Sequence, residues 1–241
     1  MICLHGFMDN GLCYDRVAEQ FLPSHNLYLI DARGHGLSSD TPPNTTYLDL
    51  VTDIRDVCDH HKLSGVIVVG HSMGGAMAGL FAATYPEYVK GVVLEDPGFT
   101  GKRTKFFRGL SAFFFSMFVR HRETPDSVEH SEKRAKRLNR KWADRDNIVW
   151  AKAQREFFLH YPAEDLKVLF TGASAKEILP KITVPILLVT AQSGIVTRIQ
   201  AKQWQKLAPR LEWVHVLKSG HNIRREQFDT YIKAIQQFLK K

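Results

Sequence analysis

The six residues Gly70-His71-Ser72-Met73-Gly74-Gly75 constrain this chain more than any other feature. They follow a short Val/Ile run, Val66–Val69, and open a stretch of small residues at helical spacing: Ala76, Ala78, Gly79, Ala82 and Ala83. A G-x-S-x-G sequence between a strand and a helix puts its serine on a sharp turn. Glycines two residues to either side let the helix approach the strand closely. The hydroxyl then stands at the carboxyl edge of a sheet, above a helix N-terminus whose dipole favours developing negative charge. Ser72 is the candidate nucleophile, and Met73, next in the chain, offers a backbone N–H to an oxyanion.

Such a turn needs a parallel sheet, and the sequence supplies one. Apolar runs occur at Ile2–Leu4, Leu27–Ile30, Val66–Val69, Val92–Leu94, Ile186–Val189 and Trp213–Leu217. Several are Val/Ile-rich, apolar on both faces and bounded by Gly, Asp or Pro, as buried parallel strands are. Helical patterns lie between them, at roughly 13–22, 46–62, 73–84, 198–207 and 224–240. That alternation predicts an α/β fold with helices on both faces of a parallel sheet.

The alternation stops between about 98 and 181, where only helical patterns occur and a proline bounds each side (Pro97, Pro185). This stretch holds 18 Lys/Arg and 10 Asp/Glu of the chain's 33 and 25, so it carries the entire net charge of +8. A basic helical insertion in a balanced α/β body predicts a cap over 98–181 and a core of 1–97 and 182–241. Lys133-Arg134-Ala135-Lys136-Arg137-Leu138-Asn139-Arg140-Lys141-Trp142 reads as a solvated cap helix, with Ala135, Leu138 and Trp142 on its inner face. Nucleic acid is not expected, because no nucleic-acid-binding motif accompanies the charge. The aromatic cluster Phe113–Phe118 is expected in the cap core or the pocket wall. The greasy stretch Leu110–Val119 is about half the ~20 residues a membrane span needs.

A serine needs a base. His221, in Ser219-Gly220-His221, follows the last apolar run and precedes the last helix. A second oxyanion N–H is available from Phe7 in His5-Gly6-Phe7, just after the first strand. Arg224 or Arg225 could reach the pocket from the start of the last helix. The cysteines Cys3, Cys13 and Cys58 form no paired spacing, which fits a reducing compartment and no Cys-based metal site. No signal-like segment is read at the start, so the expectation is cytoplasmic.

Leu4-His5-Gly6-Phe7, Asp31-Ala32-Arg33-Gly34-His35-Gly36-Leu37-Ser38, Gly70-His71-Ser72-Met73-Gly74-Gly75 and Ser219-Gly220-His221 together resemble the α/β-hydrolase superfamily in order and spacing. The resemblance implies a serine nucleophile at Ser72, a general base at His221 and a structural role for the Asp31–His35 loop. It implies hydrolysis of a carboxylic ester or lactone without cofactor or metal. Thioesterase and carbon–carbon bond hydrolase activities use the same residues. Relatives of the epoxide hydrolase and haloalkane dehalogenase type carry Asp where this chain has Ser72.

Two departures follow. The family's usual acid lies in the loop after the strand that follows the cap, here Thr190-Ala191-Gln192-Ser193-Gly194-Ile195-Val196-Thr197, which contains no carboxylate. A family variant carries the acid one strand earlier, and Leu94-Glu95-Asp96-Pro97 stands there. The resemblance puts the acid at Asp96, with a Glu95 triad or a dyad as alternatives; strand alternation sends the two side chains to opposite sides. The family's sheet also normally begins two strands earlier. Six parallel strands are therefore expected, with Leu27–Ile30 at an edge that offers pairing to a second copy. Oligomeric state is otherwise open.

Overall fold

The computed structural model describes residues 1–42, 44–99, 127–160 and 174–241. Its sheet has six parallel strands: β1 (Ile2–Leu4), β2 (Tyr28–Ile30), β3 (Val66–His71), β4 (Val89–Glu95), β5 (Ile186–Ser193) and β6 (Leu211–Gly220). Their order is β2-β1-β3-β4-β5-β6, with β2 at the edge as expected. The helices are α1 (Asp15–Phe21), α2 (Tyr47–His60), α3 (Met73–Thr84), α4 (Val128–Leu138), α5 (Asp144–His160), α6 (Ala175–Ile178), α7 (Arg198–Leu207), α8 (Ile223–Glu226) and α9 (Phe228–Phe238).

Side-chain alternation divides the core into two layers. Leu4, Val68, Val92, Leu94, Ile186 and Leu188 face one side and pack with α2, α3 and α7. Cys3, Ile67, Val69, Val93, Leu187 and Val189 face the other and pack with α1 and α9 through Phe21, Tyr231 and Ile235. Both faces of the central strands are dry, which is why they read as apolar runs rather than as alternation. Helix α3 is buried around most of its circumference, from Met73 to Ala82, because it lies between the sheet and α2.

Local chemistry sets the helix starts. Thr46 and Asp49 form a capping box on α2, and Thr197 and Gln200 form one on α7. Ser127 accepts the His130 N–H at 3.1 Å at the start of α4.

The helices between β4 and β5 lean on the core. Phe157 and Phe158 of α5 and Ala175 and Ile178 of α6 join the same apolar cluster as α3. Polar ties accompany them: Arg16 to Asp146 at 2.9 Å, and Arg145 to Asp15 and Glu19 at 2.7 and 2.6 Å.

Three local expectations need correction. Helix α4 ends at Leu138, so Leu138 points to solvent at 63% exposure and Trp142 lies beyond the helix. Ser131 and Ala135 form the buried face instead. The helical pattern at 224–240 is two helices, broken at Gln227, whose φ of −136° and ψ of 56° leave the helical region. The first helix is entered through a 3-10 turn, Gly11–Tyr14. The Phe113–Phe118 cluster lies outside the described residues. Among those described, no helix is long and apolar enough to cross a membrane.

Candidate active site

Ser72 occupies the turn between β3 and α3 with φ at 52°, a left-handed conformation that is costly for a residue with a Cβ. The turn is held on both sides. The Ser72 N–H donates to the Glu95 carbonyl at 3.0 Å, and the Ser72 carbonyl accepts from Gly98 N–H at 2.8 Å. Gly74 is required by close approach: a Cβ there would overlap the Leu4 carbonyl and lie 2.6 Å from that of His5. Gly74 N–H donates to the His5 carbonyl at 3.1 Å, joining the start of α3 to the loop after β1.

That loop carries Phe7. At Gly6 a Cβ would sit 3.4 Å from the Ser72 Cβ, so His5-Gly6-Phe7 runs beside the serine. β1 and β3 are sheet neighbours although β2 intervenes in sequence. Such a switch in strand order opens a crevice at the carboxyl ends of the strands. Met73 begins α3, where first-turn N–H groups lack intrahelical partners. The Phe7 ring packs edge-on against Phe157 of α5 at 4.7 Å.

His5 and His35 buttress this loop. His5 Nδ1 donates to the Gly6 carbonyl at 2.8 Å, and its Nε2 accepts the Ala32 N–H at 3.0 Å. His35 Nε2 accepts the Met8 N–H at 3.4 Å. Burial pushes the His35 imidazole down to about 3, so it is neutral. Asp31 accepts N–H bonds from Gly11 and Leu37 at 2.6 and 2.8 Å, and Arg33 pairs with Asp53. Asp31, Arg33 and His35 all serve this scaffold.

Asp96 and His221 meet. His221 Nδ1 lies 2.7 Å from Asp96 Oδ2, and the Asp96 side chain is fully buried. A carboxylate only accepts, so Nδ1 carries the proton and Nε2 is left for another partner. Asp96 also has positive φ, 39°, which turns the chain out of β4. Its oxygens accept the N–H groups of Ile195 at 2.8 Å and Val196 at 3.0 Å, so the loop after β5, which has no carboxylate of its own, grips the Asp96 side chain. Glu95 turns the other way, to Arg224, whose backbone N–H donates to it at 2.9 Å.

Two features escaped the sequence reading. His71, the variable residue before Ser72, donates from Nε2 to the His221 carbonyl at 3.0 Å, and the two rings lie 4.6 Å apart. Burial, with Arg224 and His221 adding to it, holds His71 well below its ordinary value. Arg224 and Arg225 do not reach into a pocket. Both are buried and bonded to Asp9, at 2.7 and 3.1 Å, and Arg224 also pairs with Glu95 at 3.3 Å. A carboxylate two residues past Phe7 was the available signal.

The sequence matches the family model described as alpha/beta hydrolase fold over residues 1–224. The chain belongs to the alpha/beta hydrolase family. A serine hydrolase-like protein of Danio rerio is 32% identical over 213 residues, covering 81% of this chain and 65% of that protein. The chain thus spans just under two thirds of that relative's length. A putative 2-succinyl-6-hydroxy-2,4-cyclohexadiene-1-carboxylate synthase of Bacillus subtilis is 28% identical over 99% of this alpha/beta hydrolase and 89% of its own length. Among solved structures, E-2-(acetamidomethylene)succinate hydrolase superposes with a TM-score of 0.84 at 20% identity, over 100% of this chain and 91% of that one. At that identity the likeness concerns the fold.

Proposed function

We propose that this alpha/beta hydrolase is a serine hydrolase that cleaves a carboxylic ester or lactone through an acyl-enzyme. The observation that carries the reading is the 2.7 Å bond between His221 Nδ1 and the buried Asp96, beside the strained Ser72 turn. In this reading Ser72 Oγ attacks the acyl carbon while His221 Nε2 takes its proton. Asp96 fixes the ring tautomer and stabilises the imidazolium. The N–H groups of Phe7 and Met73 hold the oxyanion. The proton then passes to the leaving group, and water activated by His221 releases the acid. The helices between β4 and β5 act as a cap, and the cytoplasm is the expected compartment.

A second reading, hydrolysis of an acyl-CoA or carrier-protein thioester, draws support from exposed Lys133, Lys136, Arg137, Arg140 and Lys141 on and after α4. Hydrolysis of p-nitrophenyl esters, lactones and acyl-CoAs, each with a Ser72→Ala control, separates the two. Ester or lactone turnover lost in the variant supports the first. Turnover confined to thioesters supports the second, and turnover unaffected by Ser72→Ala removes both.

A further inference from the structure

Three loops must be held in register for this chemistry: Phe7 after β1, Asp96 after β4 and His221 after β6. One side chain touches a neighbour of each. Arg224 stands three residues past His221. Its Nη2 donates to Asp9 Oδ2 at 2.7 Å, two residues past Phe7. Its Nη1 donates to Glu95 Oε2 at 3.3 Å, one residue before Asp96, and its backbone N–H donates to Glu95 Oε1 at 2.9 Å. The guanidinium stacks on the Tyr14 ring, 4.8 Å from its centre. Arg225 adds two bonds to Asp9, both at 3.1 Å, and covers Trp142 at 4.6 Å.

Stability alone does not account for this arrangement. Asp9, Glu95, Arg224 and Arg225 are each at most 3% exposed. Desolvating such charges costs several kcal/mol per ion, and well-packed apolar residues often replace buried ion pairs without loss. What ion pairs impose and apolar contacts do not is direction. A guanidinium fork fixes two carboxylates at set angles, which a lysine cannot do.

On the reading that Ser72, His221 and Asp96 act together, we infer that Arg224 is a positioning residue. It ties the oxyanion loop to the loops bearing the acid and the base, and so governs the rate of attack rather than the binding of substrate. It touches no reacting atom. Both guanidinium groups are buried and paired with Asp9, and Arg224 also with Glu95, so neither is presented to a substrate charge.

The test is fluorophosphonate labelling of Ser72, resolved into kinact and KI, with melting temperature recorded for each protein. Arg224→Met alone leaves Glu95 buried without its cation, while Asp9 keeps Arg225, and it threatens the fold. The informative variants are Arg224→Lys, which keeps the charge, and Arg224→Met with Glu95→Gln, which removes one buried pair. Misplacement by about 1 Å costs on the order of 100-fold. Both variants are expected to lose ~10- to 100-fold in kinact, with KI held within about threefold. Wild-type kinact in either folded variant overturns the proposal. So does a loss confined to KI. Failure of the wild type to label at Ser72 overturns the reading of the site itself, and this proposal with it.

Discussion

The carboxylate of Asp96 fills the space in which a side chain at position 194 would begin. A Cβ on Gly194 would overlap Oδ2 and lie 2.6 Å from Oδ1. A side chain at position 194 and the Asp96 carboxylate therefore compete for one space. Three hydrogen bonds, from Ile195, Val196 and His221, hold Asp96 in that space.

This competition predicts a transplant. Asp96→Asn is expected to lower kcat by up to ~10⁴ with the fold intact. Gly194→Ala, which displaces the carboxylate, is expected to cost at least ~10-fold. Adding Gly194→Asp to Asp96→Asn leaves the collision in place and is expected to recover nothing. Asp96→Gly with Gly194→Asp removes the collision and should exceed Asp96→Gly alone in kcat. Equal rates for those two proteins would mean the β5 loop cannot present an acid to His221.

Ser72 and His221 should act as a unit. Each alanine variant is expected to lose most activity, and the double variant to lose little more. Additive losses in kcat would separate their roles.

Acid should destabilise the fold well before carboxylates titrate. His35 lies at about 3 in the folded protein, because burial disfavours its charged form, against about 6.5 in an unfolded chain. Between those values the unfolded state binds the extra proton, so stability falls as pH falls from about 6.5. At about 1.4 kcal/mol per pH unit, His35 alone is worth up to ~5 kcal/mol by pH 3. His5 and His71, also depressed by burial, act in the same direction. Burial pushes Asp9 up, but Arg225 and Arg224 outweigh it and hold it below its ordinary value, which adds a further loss at lower pH. Urea unfolding from pH 8 to pH 4 measures the slope. His35→Gln should flatten it, and an unchanged slope would assign the effect elsewhere.

The basic surface of α4 makes a salt prediction. Its exposed cations act through solvent and are screened within ~10 Å at 0.1 M salt. If they draw in an anionic thioester, kcat/KM for acyl-CoA should fall with salt while that for a neutral ester holds. Equal responses would leave the charge as a solvated face.

The sheet was legible because its central strands are dry on both sides, and the Ser72 turn because its glycines cannot be anything larger. Helix ends were less so. Leu138 reads as an inward residue by spacing, yet α4 stops there and leaves it in solvent. The break at Gln227 carries no Pro or Gly to announce it. From the sequence, Arg224 or Arg225 could reach the pocket, because nothing local reveals that Asp9, more than 200 positions away, takes the charge of both. His71 is invisible for a similar reason: its role depends on where the His221 carbonyl lies. Long-range polar partners have no sequence period, whereas strands and helices do.

Intact-mass and peptide mass spectrometry after fluorophosphonate treatment examines the whole account at one atom. A single adduct on Ser72, absent from Ser72→Ala and formed far more slowly in His221→Ala and Asp96→Asn, is the expected result. Labelling of Ser72 at the same rate in all three remaining proteins, or an adduct on another residue that persists in Ser72→Ala, would contradict it.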